Sequence, residues 1–488
     1  MAAIICMVLL PACSNLWTGA PPADPVAALG EMATVAYAVI DADTGEVLTA
    51  KNADRAMVPA STAKIPTMVA ALELLGPDYR FQTRIMATGA PDDDGVLNGD
   101  LILAGGGDPL LTPQDLMGLA RRLKDLGLNR VHGRFIYDET ILPAVSSINP
   151  QQPAEARYNP GVSALSVDFN RWRLVWRPGD GDGDGAAEAA AKKLIRLPPI
   201  AVHEVSLGTA RHGPGRNVLW SGNTWQLGSD APQAGDRFLP VRDPGRATAE
   251  LFRHLARLTG IDLPPPAPGA TPEGAELAAR VFSLPLAEIA RQGLEHSNNL
   301  VSELVGLAGA RLYLVRPDNL LTSSAVLSAW LQRAIDATDA KTDWAFWDLP
   351  NHSGLSRDAR VTARQMASIL RFAHARRYGG WPFASFLPAA GFRRAFRDRY
   401  LDEIAAGRIW AKTGTLHYAK GLAGYLNARD GRSLVFALYI RAPEARRVYD
   451  ELSPAERDAP VTRKLALDWI EAAERAEEAI VMEWLNRF

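Results

Sequence analysis

The sequence predicts an α/β (α+β) fold: an antiparallel sheet flanked by helices, with an all-helical part, interrupted by a β-rich insertion of one or two small domains. Two observations support this prediction. Strand patterns occur near both ends of the 488-residue chain, and helical spacing dominates from about residue 277 to residue 375. The long stretch before residue 277 differs, since it is rich in turns and short strands.

The chain begins with a hairpin and a helix. Residues 35–41 and 46–50 alternate like strands around the turn "DADTG", and residues 61–75 carry apolar side chains at helical spacing until a Gly-Pro pair stops them. Three consecutive glycines at 105–107 predict a tight loop, because glycine weakens a strand interior. The run "PPPAP" at 264–268 predicts an extended break.

The remainder alternates between helices and a strand meander. An Asp-Gly pair at 430–431 predicts a hairpin turn between two of the strands. The predicted helices cover residues 284–294, 300–313, 323–337, 362–375 and 461–485, and the predicted strands cover 408–417, 421–428 and 433–440. Strands from both ends would then share one domain that the middle of the chain interrupts.

Composition argues against several kinds of partner. A net charge of -2 provides no basic surface for nucleic acid, and 47% apolar with 22% charged residues is typical of a globular protein. The two cysteines, Cys6 and Cys13, precede the predicted body, so that body has no disulfide or thiolate site. The eight histidines lack metal-motif spacing, so we expect neither a metal nor a cofactor.

The first residues have the pattern of an export signal. Residues 2–10 are an apolar stretch of signal-peptide length, and the "LPAC" that ends at Cys13 is similar to the lipobox of bacterial lipoproteins. No Lys or Arg precedes the apolar run, so a plain signal peptide stays open. We expect a periplasmic or otherwise extracytoplasmic protein, attached to a membrane, if at all, only through its N-terminus at Cys13.

The first of three ordered motifs is "STAK" at 61–64. Ser61 at a helix start and Lys64 three residues later lie on one helix face, within reach of each other. A desolvated lysine can be neutral at pH 7 and accept the serine proton, and a helix N-terminus offers N–H groups to an oxyanion. Taken alone, the motif fits a capped helix with a surface lysine better.

The other two motifs are "SNN" at 297–299 and "KTG" at 412–414. Ser297 offers a hydroxyl for proton relay, and Asn299 offers an amide to hold a substrate backbone. Lys412 places a cation on an extended strand, where Gly414 lets a substrate chain lie alongside without a clash. S-x-N recurs elsewhere in the chain, so order and position before a helix favour this copy. The ordered set is the signature of β-lactamases and penicillin-binding proteins.

With these motifs, the chain resembles the class C low-molecular-mass penicillin-binding proteins, the serine D-Ala-D-Ala carboxypeptidase/endopeptidase family. The resemblance runs from about residue 34 to 442 and includes "DADTGEVL", "PASTAK", "GGGDPLL", "YNPGVSALSVDFN", "HSNNLVSELVG", "HSGLSR" and "KTGTLHYAKGLAGYL". It implies a transpeptidase/β-lactamase-like catalytic domain. The predicted division is a leader at 1–20, a split catalytic domain at 25–86 and 277–488, insertion domain II at 87–162 and 235–276, and insertion domain III at 163–234.

The resemblance also implies catalytic roles. Ser61 would be the acylated nucleophile and Lys64 its base. Ser297 and Lys412 would relay a proton to the leaving amine, and Asn299 would hold the substrate amide.

Substrate binding is implied for the third motif. Thr413 and Thr415 would bind the terminal carboxylate beside Gly414, and the backbone N–H groups of Ser61 and Thr415 would form the oxyanion hole. The substrates would be peptidoglycan stem peptides, and β-lactam antibiotics would be covalent inhibitors.

Two residues depart from what these motifs lead one to expect. Pro66 lies inside the predicted nucleophile helix, where it removes a donor and would leave the Thr62 carbonyl unpaired. His352 stands where the family's D/N-G-S-G-L-S run has glycine.

The sequence leaves two other functions open. A serine β-lactamase is one alternative, although the deacylating Glu of class A enzymes in its E-x-x-L-N context is absent. A non-catalytic penicillin-sensing or wall-binding protein on the same scaffold is the other. The complete motif set argues against it, because such a protein needs no intact Ser61, Lys64 and Lys412.

Overall fold

The protein is described from a computed structural model covering residues 29, 33–178, 192–197, 204–207, 217–221, 224–314, 318–338, 342–392, 396 and 399–488. The predicted leader and the lipobox at Cys13 lie outside these residues. Within the described ranges, no helix has the length and apolar character needed to cross a membrane.

The secondary structure begins with a strand hairpin and ends with a long helix. The strands are β1 (Thr34–Asp41), β2 (Val47–Lys51), β3 (Gln82–Ala87), β4 (Val96–Leu97), β5 (Leu101–Ala104), β6 (Arg130–Val131), β7 (Phe135–Asp138), β8 (Arg171–Pro178), β9 (Lys192–Leu197), β10 (Glu204–Leu207), β11 (Val218–Ser221), β12 (Thr224–Leu227), β13 (Gly235–Pro240), β14 (Pro266–Pro268), β15 (Glu276–Phe282), β16 (Ile409–Leu416), β17 (Ala419–Asn427) and β18 (Ser433–Arg441). The helices are α1 (Lys64–Leu75), α2 (Pro113–Asp125), α3 (Pro244–Leu258), α4 (Leu286–Glu295), α5 (Asn299–Ala310), α6 (Leu320–Asp336), α7 (Ala363–His374), α8 (Pro443–Glu451), α9 (Pro454–Asp458) and α10 (Pro460–Arg487).

The described residues form two compact units. The first contains the chain up to Asp78, Ala290–Asn298 and Ser324–Phe488, and the second contains Tyr79–Ile289 and Asn299–Ser323. The division into two insertion domains stays a prediction.

An antiparallel five-stranded sheet is the centre of the first unit. Its order is β16-β17-β18-β1-β2, so strands from the two ends of the chain pair directly, with Val39 of β1 opposite Phe436 of β18. Side chains of successive strand residues point to opposite faces, and β17 and β18 are buried along nearly their whole length. That pattern requires a helical layer on each face of the sheet.

Helix α10 covers one face of this sheet and α7 packs on β1 and β18. The helix α10 contributes Trp469 and Trp484 to the core, and Trp484 makes edge-on contacts with Tyr37 and Phe436 at ring-centroid distances of 5.1 and 5.7 Å. Removing a buried tryptophan of this kind costs about 3–5 kcal/mol. The C-terminal helix is therefore part of the core of the first unit.

Four sheets build the described part of the second unit. The largest is five-stranded, β14-β7-β5-β3-β15, and its core is completed by α2 and α3. Two three-stranded sheets, β13-β8-β9 and β10-β12-β11, accompany it, together with the β4-β6 pair. The predicted break at 264–268 contains β14, which pairs at the sheet's edge, where proline's missing N–H is tolerated.

The predicted glycine loop follows β5 in the second unit. A side chain on Gly105 would meet the Ala164 carbonyl oxygen at 2.5 Å, and one on Gly106 would overlap the Gln82 carbonyl oxygen. Backbone contact this close admits only glycine at both positions. The loop prediction is confirmed, and close packing of neighbouring backbone explains the glycines.

Candidate active site

Ser61 lies in a short turn directly ahead of α1. Ala60–Ala63 forms one 3₁₀ turn and the α-helix begins at Lys64, three residues later than the sequence pattern predicted. With three residues per turn, side chains three apart lie one above the other. Lys64 Nζ accordingly lies 3.0 Å from Ser61 Oγ, in a hydrogen bond that the amine donates.

The later helix start also accommodates Pro66. This residue falls in the first helical turn, where a backbone N–H has no intrahelical acceptor and proline removes nothing. The Thr62 carbonyl accepts a hydrogen bond from the Lys64 N–H. The expectation that Pro66 leaves this carbonyl unpaired is therefore wrong.

Lys64 is completely buried and has a second fixed partner. Its Nζ donates to the Ser353 carbonyl oxygen at 2.8 Å, in addition to Ser61 Oγ. Two hydrogen bonds in a desolvated site hold the amine in one position. Ser353 was not singled out from the sequence as a site residue, although it belongs to the quoted "HSGLSR" run.

The turn is held in an unusual backbone conformation. Ala60 has a φ of 47°, in the left-handed region that few alanines adopt. Gly354, with a φ of 73°, packs so closely that any side chain there would overlap the Ala60 carbonyl oxygen. The base of the turn is further tied by Thr62, whose hydroxyl donates to the Pro59 carbonyl at 2.8 Å and lies 3.2 Å from the Tyr439 hydroxyl.

The third motif lies on edge strand β16, beside this turn. A side chain on Gly414 would come within 2.6 Å of the Pro59 carbonyl oxygen and 3.1 Å of the Ser61 nitrogen. Glycine at 414 therefore allows β16 to lie directly against the turn that carries Ser61. The sequence predicted that this glycine makes room for a substrate chain, and the structure shows that it also makes room for the turn.

Lys412 is the second buried lysine of the site. Its Nζ donates to the Thr413 carbonyl oxygen at 2.8 Å. Burial lowers the pKa of Lys412 well below its usual value, and the positive charges of Lys64 and Lys420 lower it further. Two desolvated lysines close enough to repel each other disfavour a state in which both are charged. Such a pair can share a proton and transfer it.

The second motif divides between the two units. Ser297 lies in the turn after α4, in the first unit, with a φ of 52°. Asn299 is the first residue of α5, in the second unit, where its amide donates to the Tyr158 carbonyl oxygen at 2.9 Å. The structure thus unites Ser61, Lys64, Lys412 and Gly414 in one unit, and the roles of Ser297 and Asn299 stay predictions.

A cavity of about 480 Å³ opens in the first unit near the end of β16. Arginines outnumber acids among its lining residues, and Arg357 and Arg446 both pair with Asp450, at 3.0 and 2.9 Å. Arg441 Nε is buried without a hydrogen-bond partner among the described residues. The lining is therefore net positive, which suits anionic groups. Among the described residues, no group of three His, Cys, Asp or Glu side chains could hold a metal ion.

His352 lies one residue before the Lys64 acceptor and is fully buried. Its backbone carbonyl accepts a hydrogen bond from the Thr67 hydroxyl at 2.9 Å. Burial lowers the pKa of His352 to about 3, so the imidazole is neutral in the folded protein at neutral pH.

This burial predicts an acid-sensitive stability. As pH falls below the ordinary histidine pKa of about 6.5, the unfolded chain binds a proton that the folded chain excludes, so the free energy of unfolding falls by up to about 1.4 kcal/mol per pH unit. Between pH 7 and pH 5, the free energy of unfolding measured with urea should fall about 2 kcal/mol more in wild type than in His352→Asn. His132 is exposed, so His132→Asn should show the same fall as wild type. An equal fall in wild type and His352→Asn would contradict this prediction.

Comparison with solved structures identifies the class of fold. The chain is similar to penicillin-binding protein 4 (dacB) of Haemophilus influenzae, with a TM-score of 0.71 and 20% identity, over 86% of this chain and 96% of that one. It is therefore a protein of the penicillin-binding and β-lactamase-like fold, and the predicted fold class is confirmed.

The chain belongs to the D-Ala-D-Ala carboxypeptidase 3 (S13) family, whose model matches residues 24–459. It is similar to the D-alanyl-D-alanine carboxypeptidase of Actinomadura sp. (strain R39), at 28% identity over 84% of this chain and 78% of that protein. It is also similar to D-alanyl-D-alanine carboxypeptidase DacB of Haemophilus influenzae, at 23% identity over 84% and 86%. The family resemblance and the assignment as a serine-type peptidase are thereby confirmed.

Proposed function

We propose that this protein hydrolyses D-Ala-D-Ala bonds of peptidoglycan stem peptides through an acyl-enzyme on Ser61. One observation carries the proposal: the buried Lys64 amine, hydrogen-bonded to Ser61 Oγ at 3.0 Å. A serine hydroxyl is a weak nucleophile until a neighbouring base takes its proton.

Acylation begins with Lys64 in its neutral form. As Ser61 Oγ attacks the carbonyl carbon of the penultimate D-Ala, its proton passes to Lys64 Nζ, and the carbonyl becomes an oxyanion. The backbone N–H groups of Ser61 and Thr415 stabilise that oxyanion. A proton then passes through Ser297 and Lys412 to the leaving amine, the C–N bond breaks, and the terminal D-Ala departs.

Deacylation reverses these proton transfers. Water loses a proton to the Lys64 amine as its oxygen attacks the ester carbonyl, and the proton then returns to Ser61 Oγ as the C–O bond breaks. In the acylation step, Lys412 assists because burial and the charges of Lys64 and Lys420 lower its pKa, which makes its proton easier to pass to the leaving amine.

The substrate would bind along β16. This strand is at the edge of the sheet, so a peptide can lie beside it in extended form. Thr413 and Thr415 would receive the terminal carboxylate, and Asn299 would hold the amide that precedes the scissile bond. The net positive cavity near the end of β16 would accept further carboxylates of the stem peptide.

β-Lactams would acylate Ser61 in the same way, since their strained amide presents the same carbonyl. Without a dedicated deacylating carboxylate, the penicillin adduct should be long-lived, which separates this function from a β-lactamase. The protein would act outside the cytoplasm, where the peptidoglycan layer lies. Lipid attachment at Cys13 and a plain signal peptide stay the two alternatives for its N-terminus.

Two peptide substrates test the reaction. Purified protein should release free D-Ala from a pentapeptide that ends in D-Ala-D-Ala, and a cross-linked muropeptide assayed in parallel should show whether D-Ala cross-links are cut as well. Liquid chromatography quantifies both products. If neither substrate is hydrolysed, the proposal is overturned. Rapid turnover of penicillin would favour the β-lactamase alternative.

A further inference from the structure

A third lysine, Lys420, is buried beside the proposed carboxylate-binding residue Thr415. The two residues are direct cross-strand partners in the β16–β17 pair. Lys420 is 1% exposed, and its Nζ donates to Thr415 Oγ1 at 2.8 Å. The same Nζ donates to Glu474 Oε1 on α10 at 2.7 Å.

A buried cation at this position is costly to the fold. On β17, Lys420 lies on the same face as Leu422 and Leu426, which belong to the apolar core beneath α10. Desolvating an ammonium ion costs several kcal/mol, and an apolar side chain at 420 would fit this pattern without that cost. Glu474 compensates the charge through a direct ion pair, and because its side chain is 35% exposed, solvent screens this pair in part.

The hydrogen bond from Lys420 leaves the Thr415 hydroxyl proton available. A threonine hydroxyl has one donor and two acceptor sites, and Lys420 occupies an acceptor site. Thr415 is exposed on the edge strand, so the hydroxyl proton can reach an acceptor that approaches from solution. A carboxylate is the matching acceptor, because a hydrogen bond to a charged group is stronger and the nearby ammonium adds attraction.

We infer that Lys420 is a positioning residue that sets the enzyme's preference for substrates with a free terminal carboxylate, acting through the Thr415 hydroxyl and moderated by Glu474. This inference rests on the proposed function. Its main effect belongs to substrate binding. The charge of Lys420 is also the smallest of three contributions, after burial and Lys64, to the lowered pKa of Lys412, so its loss should alter the reaction of both substrate forms slightly and equally.

The test uses one acyl-D-Ala-D-Ala peptide in two forms, with a terminal carboxylate and with a terminal carboxamide. Lys420→Met should lower kcat/KM for the carboxylate form about tenfold, mainly through KM, and leave the carboxamide form nearly unchanged. Glu474→Gln should act in the opposite direction and raise kcat/KM for the carboxylate form, because the lysine charge is then uncompensated. If Lys420 and Glu474 only connect β17 to α10, both variants should instead have a lower kcat/KM for both peptides.

A double-mutant cycle tests whether Lys420 acts through Thr415. Thr415→Val, at an exposed position, should reproduce the loss seen in Lys420→Met, and the double variant should lose no more than either single variant. Lys464→Met, which removes an exposed lysine from the same helix α10, is the control and should leave both substrates unaffected. Thermal unfolding verifies that each variant is folded.

The outcomes separate this inference from the proposed function. If wild type hydrolyses neither peptide, the proposed function fails and the inference falls with it. If wild type is active but Lys420→Met impairs both peptides equally, or if the two single losses add in the double variant, the function stands and the inference is overturned. Should Lys420→Met not fold, Glu474→Gln decides by the sign of its effect.

Discussion

Ser61→Ala should abolish penicillin labelling and lower D-Ala release by about 10⁴-fold or more, because the attacking atom is lost and the remaining site contributes only binding and oxyanion stabilisation. The fold should survive. Lys64 retains its hydrogen bond to the Ser353 carbonyl, and the lost hydrogen bond to Ser61 Oγ contributes only about 1 kcal/mol. A fluorescent penicillin followed by gel electrophoresis measures labelling, and chromatography measures D-Ala.

The matched control for this variant is Ser385→Ala. Ser385 is an exposed serine of the same unit, whose hydroxyl donates to the Pro382 carbonyl. It should label and hydrolyse like wild type. Equal labelling of Ser61→Ala and wild type would exclude Ser61 as the nucleophile, and with it the proposed acyl-enzyme.

Lys64→Met should slow acylation about 10³-fold, which is the contribution expected from a positioned general base. Methionine matches the length of the lysine side chain and removes only the amine. Methionine avoids the desolvation cost of the buried amine, while the Ser353 carbonyl loses a donor at a cost of about 1–3 kcal/mol, so the variant should fold with a modest fall in melting temperature. Stopped-flow measurement of penicillin acylation gives the rate directly.

Lys51→Met is the control for charge removal. Lys51 is an exposed lysine on β2 of the same sheet, and its loss should leave the acylation rate unchanged. A wild-type rate in Lys64→Met would show that another group takes the Ser61 proton. A loss of rate accompanied by unfolding would instead assign Lys64 a structural role.

Much of the first unit could be predicted because its patterns are local. The strands of the sheet and the helices α1, α7 and α10 follow from alternating and helical spacing, and the observed ends differ from the predicted ones by a few residues. At α1 the difference matters, since Lys64 and not Ser61 begins the α-helix. Periodicity does not distinguish a 3₁₀ turn from the first turn of an α-helix.

The site residues that depend on distant contacts could not be predicted in this way. Ser353 approaches Lys64 across 289 positions of the chain, and Lys420 is fixed by a helix residue 54 positions later. Neither Ser353 nor Lys420 belongs to a periodic pattern that would predict its contact. The sequence indicates them only through the "HSGLSR" run and through a lysine within an apolar strand.

The order of three short motifs, through the family resemblance that it carries, predicts the chemistry: a serine nucleophile, a lysine base, and a lysine-bearing strand beside them. Spacing within a helix is enforced by covalent geometry, so the proximity of Ser61 and Lys64 could be predicted without coordinates. Burial, charge and strand contacts are different, because they arise when remote segments pack. Only the folded chain shows that Lys64 and Lys412 are desolvated together and that Lys420 lies beside Thr415. It also shows that Gly354 and Gly414 pack against the turn that carries Ser61, where a side chain would clash with the backbone.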